Sequence, residues 1–196
     1  MSTAPGQRHH RPAAGLAGLL LALLAALGPP PSRAETGAVD EYALRAAFLF
    51  HFTRFVQWPD AAFESPDSPF RICVLGSDPF GRHLDALEER RAGGRPIQVR
   101  RTGSPAGLAG CQIAYIAPDA QPAWRAAGGP ALDARLLTVA SEGRFAREGG
   151  MMALVASGRR IQLHVNLASL QGSELRVSAK LLEIAEVRHG RPGVRG

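Results

Sequence analysis

Apolar residues first cluster densely between Tyr42 and Val56. Leu44, Phe48, Leu49, Phe52, Phe55 and Val56 are spaced to share one face of a helix. The helix is expected to start at Asp40, a good N-cap, with Glu41 in its first turn. It should end near Trp58, because Pro59 restricts the residue before it. Arg45 and Arg54 fall elsewhere on that wheel.

Shorter apolar runs follow, separated by turns and helical pieces. Phe70–Leu75, Ile97–Arg101, Gln112–Ile116 and Leu136–Ala140 read as strands, most of them apolar on both faces. Between the first two, Asp78 is placed as N-cap and Pro79 as first residue of a helix running to about Arg91. A short helix is expected around Gln121–Ala127. Strands apolar on both faces and alternating with helices predict a single α/β domain, with a mixed, largely parallel sheet and helices on both faces. The last third changes character. Met151–Ala156 and Arg160–Val165 flank Ser157-Gly158-Arg159 as a hairpin. Leu167–Gln171 reads as a helical turn, Leu175–Val177 as extended, and Ser178 as the cap of a final helix to about Val187.

The N-terminus has a different grammar. Arg8 and Arg11 precede the apolar run Leu16–Leu27, Pro29-Pro30-Pro31 stops it, and Ser32-Arg33-Ala34 supplies small residues for a peptidase. This is the order of a cleavable secretory signal, and the run is too short for the ~20 residues that span a bilayer. The expected organisation is a signal peptide over 1–34, a domain over 35–190 and a flexible tail over 191–196. Residues from 35 onward are enough for one domain with a real core. Removing Arg8, Arg11 and Arg33 lowers the net charge from +6 to +3, too mild a balance to indicate nucleic acid. The chain has two cysteines, Cys73 and Cys111, and export to an oxidising compartment predicts that they pair. With strand order 2-1-3, the strands carrying them are neighbours.

Candidate chemistry narrows quickly. Gly76 and Gly81 have the spacing of a phosphate loop, but Arg82 and His83 stand where lysine and a hydroxyl are needed, so the glycines read as turn residues. Asp78 and Asp119 lie near strand ends and read as a cap and a turn residue rather than as phosphoacceptors. His51, His83, His164 and His189 show no metal-ligand spacing, and no G-x-S-x-G elbow is present. No catalytic, cofactor-binding or metal-binding residue is assigned. Arg160-Ile161-Gln162-Leu163-His164-Val165-Asn166 alternates cleanly, with the polar residues on one side. A solvated face of an edge strand and a recognition face both fit that alternation. Arg160, Gln162, His164 and Asn166, with Arg176 and Lys180 near the last helix, form the candidate partner-binding set.

Several stretches together resemble the YfiR-like family. Tyr42 to Pro59 is similar to its aromatic opening helix, which ends in phenylalanine, a residue or two, and Trp58-Pro59. Ile72-Cys73-Val74-Leu75-Gly76 and the later Cys111 agree with its middle. Gly149-Gly150-Met151, then Ile161 to Leu167 ending in Asn-Leu, then Leu175-Arg176-Val177-Ser178-Ala179-Lys180-Leu181-Leu182, resemble its closing third. The resemblance spans about Tyr42 to Val187. It implies a non-catalytic periplasmic regulator that binds the periplasmic domain of an inner-membrane signalling enzyme, a diguanylate cyclase or sensor kinase, and holds it inactive. It also implies relief by an outer-membrane lipoprotein. Some members carry a second cysteine pair where this chain has Phe145 to Met152 without cysteine, so regulation through that pair is not carried over. A small-molecule sensor and an unrecognised hydrolase are the alternatives, and monomer and homodimer both remain open.

Overall fold

The computed structural model describes residues 34–188; the expected signal peptide up to Arg33 and the tail over 191–196 lie outside them. A long helix, α1 (Ala34–Phe55), leads into a two-residue strand, β1 (Val56–Gln57). Then come β2 (Phe70–Leu75), α2 (Arg82–Asp85), β3 (Arg91–Ala92), β4 (Arg95–Thr102), β5 (Ile113–Ile116), α3 (Gln121–Ala126) and β6 (Leu137–Ala140). The remainder is α4 (Gly143–Arg147), β7 (Met152–Ser157), β8 (Arg160–Asn166), α5 (Leu167–Gln171), β9 (Arg176–Val177), α6 (Ala179–Glu183) and β10 (Ala185–Arg188).

Eight strands form one sheet in the order β10-β8-β7-β6-β5-β2-β4-β3. β2 lies between β4 and β5 and is parallel to both. β6 and β7 extend that parallel set, and β8 reverses it through the hairpin. This is the mixed, largely parallel sheet expected of strands apolar on both faces. One face buries Ile72, Val74, Ile113, Tyr115, Val139, Leu154 and Val165 under Ala46, Leu49 and Phe52 of α1. The other buries Leu75, Ala114, Ile116 and Ala140 with Leu108, Trp124 of α3 and Phe145 of α4. Helices therefore cover both faces of a single α/β domain.

Cys73 on the second face is bonded to Cys111 just ahead of β5, with Cα atoms 6.1 Å apart. The pairing follows from the neighbouring positions of β2 and β5. Gly76 and Gly81 are turn residues with φ of +91° and +50°.

Three expected elements differ. The helix expected from Asp78 to Arg91 is a single turn, Arg82–Asp85, continued by a 3-10 turn over Ala86–Glu89, and Arg91 lies in β3. Asp78 instead accepts a hydrogen bond from the Phe80 amide in a local turn, and Arg101 pairs with its other oxygen at 2.7 Å. The final helix stops at Glu183, and Ala185–Arg188 turns back as a strand parallel to β8. Last, α1 starts at Ala34, so Asp40 lies within it rather than capping it, it ends at Phe55 ahead of β1, and it is rotated relative to the expected face. Its buried positions are Arg45, Ala46, Leu49, Phe52 and Val56, while Leu44 is 43% exposed.

Candidate partner-binding surface

β8 is an interior strand, because β10 covers the edge that the alternation left open. The polar row consequently divides. Arg160 and Gln162, nearest the hairpin, are exposed, whereas His164 and Asn166 are buried. The reading of all four as one exposed row is corrected here. The sheet face they share is solvated only at its hairpin end, and α4 and β10 cover the rest.

Asn166 has a structural task. Its side chain accepts from the Ser169 amide at 3.2 Å, capping α5, and donates to the Ala146 carbonyl at 2.7 Å. His164 lies opposite Glu186 in register, with its Nε2 3.0 Å from that carboxylate. Gly143, first in α4, packs on the imidazole so closely that a Cβ there would fall 2.9 Å from Nδ1.

Arg176 and Lys180 are exposed, but not beside Arg160. β8 is seven residues long, about 20 Å at the usual rise. Arg160 pairs with Ser157 at one end of it. Arg176 follows the other end and pairs with Gln57, next to Trp58, whose indole donates to the Gln112 carbonyl ahead of β5. The six candidate residues therefore form no single surface. Two are buried, two mark the hairpin end, and two mark the far end of the sheet.

What lies beside Arg176 and Lys180 is the C-terminal end of α1. The Ser178 amide donates to the Phe55 carbonyl at 2.8 Å, and Arg54 is exposed one residue earlier. From that basic end a stripe runs back along α1 through the exposed His51, Ala47 and Leu44, flanked by Phe55 and Phe48, which are half-buried against the core. Its exposed members, Leu44, Ala47, His51 and Arg54, recur at helical spacing. A surface helix is ordinarily polar on its solvent side. Here only Arg45, His51, Thr53 and Arg54 between Ala43 and Val56 are polar, and Arg45 is turned inward. That sequence signal, a helix apolar around most of its circumference, was available to find the stripe.

Arg45 is held by three groups. Its Nε donates to the Leu154 carbonyl at 3.0 Å, it pairs with Glu41 one turn earlier, and its guanidinium lies 4.8 Å from the centre of the Tyr42 ring. Nearby, Phe80 stacks edge-on against both Tyr42 and Tyr115. Burial pushes the Tyr115 phenol up to about 12, against a smaller lowering by Ser141. This network fastens the first half of α1 to the sheet.

The carboxyl ends of β2 and β5 form the topological switch point where open α/β sheets place ligands. Here the loops satisfy each other. Asp119 accepts from the Ser77 amide and hydroxyl at 3.1 and 2.8 Å, and the Ser77 hydroxyl holds its carboxyl below the ordinary value. Gly76 is packed so that a Cβ would lie 2.7 Å from the Ala120 Cβ. Asp119 is thus the turn residue it was expected to be.

A family model described as YfiR/HmsC-like matches residues 42–186, from within α1 into β10. The chain belongs to the YfiR/HmsC-like family. A search of curated proteins returned no match. In this YfiR/HmsC-like domain the Trp58-Pro59 signature is architectural. The Trp58 indole bonds Gln112 and its ring stacks edge-on against Phe70, joining the end of α1 to β2 and the approach to β5. Leu181 of the paired leucines is the residue of α6 that enters the core. Among the described residues no helix is long and apolar enough to cross a membrane.

Proposed function

We propose that this protein is a non-catalytic periplasmic regulator of cyclic-di-GMP signalling, which binds the periplasmic domain of an inner-membrane diguanylate cyclase and holds it inactive. The family match across nearly the whole described domain carries this reading. The amino-terminal pattern of Arg8 to Ala34 supports export. The contact surface we assign is the outward stripe of α1 with the basic end formed by Arg54, Arg176 and Lys180. An apolar stripe bordered by cations suits a partner with an apolar patch and an acidic rim, since charge complementarity guides encounter and register. Arginine adds bidentate recognition of carboxylates. Arg160 and Gln162 stand outside this surface.

Binding of the mature protein to the cyclase's periplasmic domain tests the assignment. Reversing charge together at Arg54, Arg176 and Lys180 should weaken binding on the order of tenfold, with the fold unchanged. Arg160→Glu should bind as the parent does. The opposite ranking would move the interface to the hairpin end of the sheet.

A further inference from the structure

The two edges of the sheet are secured differently. β3 is two residues long and is tied to β4 by the turn through Gly93 and Gly94. Among the described residues β10 is the last strand, and β8 is its one neighbour in the sheet. Its apolar side chains are only partly buried: Ala185 packs against the core, Val187 is 38% exposed, and Ile184 just before the strand is 67% exposed. At its centre, however, the half-exposed Glu186 carboxylate meets the buried His164 imidazole at 3.0 Å.

We propose that His164 and Glu186 form a proton-dependent latch that holds β10 on the sheet and, when released, uncovers the edge of β8. The protonated imidazole makes an ion pair with Glu186, and the neutral imidazole only a dipolar contact, so the proton strengthens the attachment. The ring cannot retreat from the strand, because Gly143 lies against its Nδ1 edge. β7, its neighbour on the other side, carries no titratable side chain along Met152–Ser157. α4 brings Glu142 and Arg144 on either side of Gly143, and these face each other at 3.7 Å, with Arg144 also 3.9 Å from Glu148. From β10, Glu186 lies opposite His164 in register. The attachment is strongest while the imidazole carries its second proton and weakens when that proton is lost. An uncovered β8 edge presents free backbone donors and acceptors to an added strand. The device does not depend on the partner's identity.

Hydrogen exchange of the intact mature protein, corrected for intrinsic rates, reads the latch. Protection of the β10 peptide relative to β2 should fall roughly threefold between about pH 5.5 and about pH 7.5. His164→Gln and Glu186→Gln should both abolish that pH dependence. Glu186→Gln alters a half-exposed group, so it decides the matter if His164→Gln does not fold. A parent protein whose β10 protection ignores pH, or a Glu186→Gln variant that keeps the parent's pH dependence, overturns the proposal.

Discussion

Replacing Cys73 and Cys111 together by alanine should cost about 4 kcal/mol of stability, the largest loss expected from removing one linkage. The bond joins residues 38 apart in sequence, and opening it returns that loop's freedom to the unfolded chain. Both residues are buried, so the substitution also thins the cluster around Leu75, Leu108 and Ile116. For a domain of this size the melting temperature should drop on the order of 10 °C. Thermal unfolding followed by circular dichroism checks this, with the parent measured in reductant as the comparison. A melting temperature within a degree or two of the parent would mean that the bond is not formed in the native protein.

Asn166→Ala should be the most damaging single change in the polar row, costing about 2–4 kcal/mol. The residue is fully buried, and its loss strands both the Ser169 amide and the Ala146 carbonyl, which belong to different helices. Gln162→Ala, two residues earlier on the same strand and exposed, should change stability by no more than about 0.5 kcal/mol. Urea unfolding of the two variants distinguishes a buried cap from a recognition residue. Equal midpoints would return Asn166 to the surface.

The contrast between those two residues shows how far sequence reasoning reached. Phe70–Leu75 and Leu167–Gln171 were legible to the residue, although the Asn166 cap of the second was read as part of the polar row. The parallel sheet followed from strands apolar on both faces, and the cysteine pairing from export and the neighbouring strands of a 2-1-3 order. Alternation along Arg160–Asn166 gave the correct two sides of the strand but not which end was covered, since α4 and β10 arrive from elsewhere in the chain. β10 itself was hidden, because Leu181, Leu182 and Ala185 fit helical spacing as well as they fit a short helix followed by a strand. In α1 the face was misread for a similar reason. With apolar residues on most of its circumference, periodicity could not choose an orientation. The choice rests on Arg45, whose carbonyl partner Leu154 lies 109 residues away. The assembled set of Arg176, Lys180 and Arg54 depended on the pairing of β1 with β9, two strands of two residues each, which no local pattern announces.

Regulation of a membrane cyclase is the central claim, and the cellular level of cyclic-di-GMP measures it most directly. Deleting the gene for this protein should raise cyclic-di-GMP and biofilm formation in cells expressing every candidate inner-membrane cyclase. Restoring the full-length chain should return both to the parental level. Cyclic-di-GMP that stays unchanged on deletion, with those cyclases expressed, would contradict the account.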